Sequence, residues 1–372
     1  LQKKILFLTL RIFSATGGIE KVCRVAGKAL YELTLEQGGW VRIFSKDGIA
    51  DKAGNNNYFP QRLHTRFANN KARYVFKSLQ AGRQSDIVLM SHINLLIPGM
   101  LIKVINPKVK LVLVAHGIEV YTQLAAWRRY LLGKIDLFLP VSNFTKDKMK
   151  ALHGLPEEKF LVLNNCLDPL LEMSPQKNKA RFLLDRYGLK EEHTILLTTC
   201  RMAATEQYKG YDRALESLPL LVKQYPNLRY LLAGKYDIKE KQRLDVIITA
   251  LGLQDIVVFT GFVAEEEMSL HFNLADIFIM PSEREGFGIV FIEAMFYGLP
   301  VIAGYKDGSV DALHNGEFGL LIDPGNKAAI AEAIKKIIVS PEQYIPDQQK
   351  LVELFGYAGY KSALNNCLSG LS

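Results

Sequence analysis

Hydrophobic and polar positions alternate along the chain in two halves of the same kind. Short apolar runs occur at 5–10, 41–45, 86–92, 110–116, 137–142 and 160–165. They return at 194–200, 229–234, 256–261, 277–282, 301–304 and 319–323. Runs of this length, rich in Val, Ile, Leu and Phe, mark strands buried on both faces. Helix-length segments separate them, so each half predicts a parallel sheet covered by helices on both sides, an α/β architecture. Between the halves, 167–178 carries Asp168-Pro169 and Ser174-Pro175 and predicts a linker. The tail after Pro341 predicts helix. The expected division is a first domain over 1–168, a second over 169–345, and a helix over 346–372 that packs back on the first. Open α/β sheets bind ligands at the carboxyl ends of their strands, so the expected site is a cleft between the two domains.

One stretch concentrates chemistry. In "SEREGFGIVFIEAMFYGLPVIA", 282–303, an apolar strand at 277–280 breaks at Pro281-Ser282, and a helix is expected over 288–296. Glu285 then lies on a strand-to-helix loop and Glu293 about a turn and a half inside the helix. Gly286-Phe287-Gly288 lets backbone N–H groups approach a ligand at the helix N-terminus. Carboxylates accept hydrogen bonds from vicinal hydroxyls, so two acids here suit a sugar and a ribose. Glu293 also reads as a helix acid favoured by the dipole, but its neighbours Ile289, Val290, Ile292, Ala294 and Met295 predict a buried helix.

Three further places follow strands. Thr16-Gly17-Gly18-Ile19-Glu20 opens a helix after the first strand, where a phosphate can meet free N–H groups; a plain tight turn reads as well. Arg201 and Lys209 lie after the first strand of the second half, and two cations there suit a diphosphate. From spacing alone, the plainer reading is two solvated loop charges. His116 ends a strand beside Gly117, a position that weighs evenly between structure and chemistry. Neither glycine stretch matches G-x-G-x-x-G, which argues against a nicotinamide enzyme.

Composition adds limits. Of 372 residues, 49% are hydrophobic and 23% charged, as in a soluble globular protein large enough for two cores. No apolar stretch approaches the ~20 residues of a membrane span, and Arg11 cuts the first apolar run short, so a buried strand rather than a signal peptide is expected there. Cys23, Cys166, Cys200 and Cys367 are scattered, which fits free thiols, no zinc site and a cytoplasmic address. Residues 1–170 hold 25 Lys+Arg against 12 Asp+Glu, a net of +13; the remainder holds 21 against 26, a net of −5. The basic half is expected to meet an anionic partner, such as lipid headgroups at a peripheral membrane site or a phosphorylated acceptor. No nucleic-acid-binding signature accompanies the charge, so nucleic acid is not expected. A basic surface that serves solubility alone fits the same count.

At these residues the sequence resembles glycosyltransferase family 4, the retaining, nucleotide-sugar-dependent enzymes of GT-B fold. The main match is "ADIFIMPSEREGFGIVFIEAMFYGLPVIA", which looks like the family's E-x7-E signature with Glu285 and Glu293 as its acids. "GGIEKV", "VAHGIEV", "VSNFTKDKM", "RMAATEQYKGYDRAL", "LLAGK", "VVFTGFV" and "FGLLIDPGN" extend it over nearly the whole chain. The resemblance implies two Rossmann-like doubly wound domains facing across a cleft. It implies that Glu293 holds the ribose, and that Glu285 with the backbone of Gly286, Phe287, Gly288 and Ile289 holds the donor sugar. Arg201 and Lys209, helped by the N–H of Gly18, neutralise the diphosphate. Gly261, Phe262 and Val263 lie near the base, and His116 near the C6 hydroxyl of the transferred sugar. Cys200 and Cys166 stand where the family often has Gly. The implied reaction moves a hexose, glucose by family frequency, from a nucleotide sugar such as UDP-glucose to a lipid-linked or polysaccharide-precursor acceptor. No D-x-D triplet occurs, so no metal or other cofactor is expected. A nucleotide-sugar epimerase, a sugar phosphorylase or a non-catalytic sugar-nucleotide-binding protein are the alternatives.

Overall fold

The structure is a computed structural model that describes residues 3–14, 17–47, 56–172 and 178–371. The chain divides into two compact units, Leu1–Leu171 with Phe355–Ser372, and Glu172–Leu354. Thr16 and residues 173–177 of the expected linker lie outside the described residues.

The first unit contains β1 (Lys3–Thr9), β2 (Gly39–Ser45), β3 (His64–Arg66), β4 (Ile87–Met90), β5 (Lys110–Ala115) and β6 (Leu137–Pro140). All pair in parallel in the order β3-β2-β1-β4-β5-β6. Its helices are α1 (Gly18–Gln37), α2 (Lys71–Gly82), α3 (Leu96–Ile105), α4 (Ala126–Leu132) and α5 (Asn143–His153). In α1, Val22, Val25, Ala26, Ala29, Leu30 and Leu33 recur at helical spacing and are buried, which fixes the face laid on the sheet. The ends of α5 are set locally: Ser142 accepts from the N–H of Thr145 at 3.0 Å, and Gly154 closes the helix at φ +63°.

The second unit contains α6 (Arg181–Tyr187), α7 (Tyr211–Ser217), α8 (Ile238–Ala250), α9 (Met268–Leu274), α10 (Ile289–Phe296), α11 (Ser309–Ala312), α12 (Lys327–Val339) and α13 (Gln348–Phe355). Its strands are β7 (Thr194–Thr199), β8 (Leu228–Ala233), β9 (Val257–Gly261), β10 (Ile277–Met280), β11 (Val301–Gly304) and β12 (Leu320–Ile322). They form a second parallel sheet in the order β12-β11-β10-β7-β8-β9. Counted from each unit's own first strand, this is the order of the first sheet repeated. Each sheet has its own buried core, with Leu6, Val88, Leu111 and Phe138 in one and Leu196, Tyr230, Ile279 and Ile302 in the other.

The last helix, α14 (Tyr357–Ser369), belongs to the first unit and packs against α1. Phe355 joins that unit when its carbonyl accepts from the N–H of Leu167 at 2.8 Å. The hydroxyl of Tyr357 donates to Glu32 on α1 at 2.9 Å.

One expected strand is corrected. Residues 160–165 form no strand: Phe160 makes a single parallel bridge to Phe138, and the N–H groups of Leu161 and Leu163 donate to Phe138 and Pro140 without a continued ladder. The sixth strand of that sheet is instead β3, a short His-Thr-Arg edge whose polar residues carry no apolar signal. No described helix is long and apolar enough to cross a membrane.

Candidate active site

In the second sheet, strand order runs one way from β7 and the other way from β10, and these two strands are neighbours. Connections leave them on opposite faces, which opens a crevice at their carboxyl ends. The loop after β7 carries Arg201 and Lys209, and the loop after β10 carries Glu285. Gly210 lets the loops touch: at φ +74°, a Cβ added there would lie 2.0 Å from the carbonyl oxygen of Pro281. The N–H of Glu283 donates to Tyr208 at 2.9 Å.

The contact brings Lys209 Nζ to 2.7 Å from Glu285 Oε1, with side chains only 17% and 15% exposed. Burial disfavours the Lys209 ammonium, but the Glu285 carboxylate more than compensates and holds its pKa above the usual lysine value. A nearly buried ion pair is a poor stabiliser, because desolvation cancels most of its Coulomb gain. What it supplies is a cation kept charged at a strand's carboxyl end.

Two fully buried carboxylates hold the loops. Asp307, at the end of the turn after β11, accepts from Ser282 Oγ at 2.7 Å, from the N–H of Glu285 at 2.8 Å and from the N–H of Ser309 at 2.9 Å. Burial pushes its pKa up, against the pull of those hydrogen bonds. The following Gly308 admits a close approach: an added Cβ would stand 2.0 Å from the carbonyl oxygen of Gly286. On the other loop, Glu240 accepts from Gln207 Nε2 at 2.9 Å, Tyr211 OH at 2.7 Å and Arg243 Nη2 at 2.6 Å, which anchors the turn bearing Lys209.

The remaining residues separate by role. Glu283, the first acid of the opening stretch, pairs with Arg213 on α7 at 2.7 Å, so only Glu285 turns to Lys209. Arg201 is mostly exposed and engages Glu206 within its own loop rather than Glu285. Glu293 is 4% exposed inside α10, which starts at Ile289; Gly288 precedes it at φ +81°. Gly286, Phe287 and Gly288 lie on the clamped loop; Gly286 and Phe287 are buried and Gly288 is half-buried. Gly261 ends β9, Val263 is buried, and Phe262 presents a half-exposed ring with Lys235 Nζ 4.5 Å from its centre. The Cys200 thiol, just after β7, is pushed up to about 12 by burial and is no nucleophile near neutral pH. Cys166 is raised by burial too, and all four cysteines are free.

The first unit repeats the topology with other side chains. Gly17, in extended conformation, leads into α1 at Gly18, where an added Cβ would meet open space. Protein packing therefore does not require glycine at 18. Past β5, the His116 ring Nε2–H donates to the Ser91 carbonyl at 2.8 Å, and its backbone N–H donates to Glu119 at 2.6 Å. Burial lowers the His116 pKa, while Glu119 and Glu20 on the first turn of α1 oppose the fall. A neutral imidazole donating through Nε2 offers Nδ1 as an acceptor for a hydroxyl. His92, after β4, is also lowered by burial and interacts with His116 and Glu119. His92, Asp307 and Glu240 were not singled out from the sequence. Nothing local in the sequence marks Asp307 or Glu240 as buried.

Residues 16–169 match the family described as glycosyltransferase family 4, and residues 183–358 match glycosyl transferases group 1, one for each unit. The chain belongs to the family 4 glycosyltransferases. Its fold is that of their GT-B members. Alr3699/HepE of Anabaena, solved with UDP, superposes at TM-score 0.80 with 20% identity over 99% of this chain and all of that one. A mannosyltransferase of Mycolicibacterium smegmatis, named as GDP-mannose-dependent and acting on phosphatidylinositol monomannoside, is 26% identical over 69% of this chain and 66% of its own. Alpha-D-kanosaminyltransferase of Streptomyces kanamyceticus is 26% identical over 59% of this chain and 55% of its own. The matches thus span between half and two thirds of these relatives' lengths. Among the described residues no group of three or more His, Cys, Asp or Glu is placed to hold a metal.

Proposed function

We propose that this family 4 glycosyltransferase moves a hexose from a nucleotide diphosphate sugar to a lipid-linked or polysaccharide-precursor acceptor, with retention at the anomeric carbon and without a metal. The observation that carries the reading is the Lys209–Glu285 pair at the point where the second sheet reverses its strand order. Breaking the bond between the anomeric carbon and the diphosphate leaves its electron pair on a phosphate oxygen. A permanently charged, preorganised ammonium stabilises that charge as it develops. The acceptor hydroxyl forms the new bond, and its proton passes to the departing diphosphate.

In this reading Lys209 and Arg201 meet the diphosphate, and binding draws Arg201 away from Glu206. Glu285 and the backbone from Gly286 to Ile289 take the sugar hydroxyls, Glu293 takes the ribose, and Gly261 to Val263 flank the base. Gly18 contributes its N–H to the diphosphate, and His116 accepts a hydroxyl at Nδ1. A protein of the same fold was solved with UDP-glucose, which makes that donor the first to try; GDP-mannose, the donor named for a mycobacterial relative, is the natural rival.

Calorimetric titration with UDP and with UDP-glucose, beside a melting curve, tests the assignment of the two acids. Glu293→Gln is expected to weaken both ligands, whereas Glu285→Gln weakens the sugar nucleotide and turnover while leaving UDP nearly unchanged. A hydrogen bond to a charged group is worth ~1.5–3 kcal/mol, or roughly 10- to 150-fold in affinity. Equal losses of UDP affinity in two stably folded variants would overturn the division of roles.

A further inference from the structure

Two histidines follow neighbouring strands of the first unit, and the backbone fixes their rings in complementary roles. β4 and β5 pair in parallel with Met90 opposite Leu113, so His92 and His116 both emerge at the carboxyl edge of the sheet. His92 caps the short turn Ile93–Leu95: its Nδ1 accepts from the N–H of Asn94 at 3.0 Å. A backbone N–H can only donate, so the neutral His92 ring carries its proton at Nε2. His116 is held from the other end. Its Nε2–H donates to the Ser91 carbonyl at 2.8 Å, which sets the ring against the residue just before His92 and leaves Nδ1 as an acceptor. Among the described residues no hydrogen bond engages Nε2 of His92 or Nδ1 of His116, and both residues are half-buried.

A sheltered donor beside a sheltered acceptor calls for one partner that can serve both. Burial lowers the His92 pKa, Glu119 opposes the fall, and His116 and Arg128 add to it; His116 is lowered by burial as well, which keeps both rings neutral near pH 7. A hydroxyl gives one hydrogen bond and accepts others, so it matches the pair. A methyl group matches neither ring, and a carboxylate has no proton for Nδ1. We infer that His92 donates to the same hexose hydroxyl that donates to His116, and that the two rings together select a hexose bearing that hydroxyl over its deoxy counterpart. The inference rests on the donor reading above, which gives His116 a hydroxyl and His92 no role. A site built to hydrogen-bond a hydroxyl rejects the analogue that lacks it, because its own polar groups are then left unpaired.

Calorimetric titration of the full chain with UDP, UDP-glucose and its monodeoxy forms, one for each hexose hydroxyl, tests it; the series is built on GDP and GDP-mannose where the parent chain binds that donor instead. His92→Asn keeps an oxygen at the place of Nδ1 for the Asn94 N–H and removes the Nε2–H. His116→Gln keeps an N–H for Ser91 and removes Nδ1. Each variant should weaken the sugar nucleotide about tenfold and leave the bare nucleotide unchanged. One monodeoxy form, the same for both variants, should show no further loss, because its contact is already gone. His92→Gln restores a donor near the place of Nε2 and gives up the Asn94 bond. It should recover most of the affinity at a slightly lower melting temperature. A His92 that only caps its turn predicts the reverse, with Asn harmless and Gln harmful, and that outcome would overturn the inference. So would a different monodeoxy form for each histidine, or a further loss on every form. A parent chain that binds neither UDP-glucose nor GDP-mannose would overturn the donor reading and this inference with it.

Discussion

The two units share one strand order and differ in what they place at its reversal. In the second, the loops after β7 and β10 bring an ammonium and a carboxylate into contact and brace them with two buried acids, Asp307 and Glu240. In the first, an extended Gly17 leads into α1 after β1, and the ends of β4 and β5 bring histidines lowered by burial. One unit thus places a paired ammonium and carboxylate after its strands, and the other places buried histidines. The sheet decides where a ligand is met, and the loops decide what is offered to it.

The comparison breaks most sharply at Lys209. Lys209→Met should lower kcat/KM by about 10²- to 10³-fold, the usual cost of one group that stabilises developing charge. It should also lower the melting temperature, because Glu285 is left buried without its ammonium. Adding Glu285→Gln is expected to restore the melting temperature and not the activity. Recovery of activity in the double variant would mean that the pair is structural, as a plain core contact would be.

Asp307 comes next. Asp307→Asn puts an amide where a carboxylate accepts from three donors, and a charged hydrogen bond is worth about 1.5–3 kcal/mol. Turnover should fall on the order of tenfold through misplacement of the Glu285 loop, with UDP affinity nearly kept. A loss of UDP affinity equal to the loss of turnover would show that Asp307 supports the whole unit and not this loop.

The smallest effect concerns acid stability and belongs to the first unit. Burial, reinforced by Arg66, lowers His64 to about 4 from the ordinary 6.5. Its folded value lies below its unfolded one, so the unfolded chain binds more protons between the two. The stability it contributes is therefore complete above about 6.5 and is lost as the pH falls toward about 4. Urea midpoints at pH 7 and pH 5 should drop for the parent chain and drop less for His64→Gln. A parallel drop in both would remove His64 from the account.

Much of the fold was legible because eleven of the twelve described strands coincide with mostly apolar runs of the kind that parallel sheets bury. The exception, β3, is three residues long and polar, and an edge position asks for little burial; 160–165 looked like a strand because its Phe, Val and Leu side chains pack without a ladder. Lys209 and Glu285 could be named from their places after strands, yet no spacing could say that they touch, since 76 residues separate them. That contact depends on β7 and β10 being neighbours. Asp307 stayed hidden for the same reason: it acts on a loop 22 residues earlier through backbone N–H groups that have no residue identity.

The return of α14 to the first unit has a consequence for the order of assembly. Residues 172–354 form a continuous stretch and can close around their own sheet as soon as they leave the ribosome. The first unit, made earlier, must wait for residues 355–369 before α1 gains its covering helix and Glu32 its partner in Tyr357. Synthesis and completion therefore run in opposite directions, and the half made first is the last to be finished. A stalled or shortened chain would release a mature second unit beside a first unit with an uncovered helix.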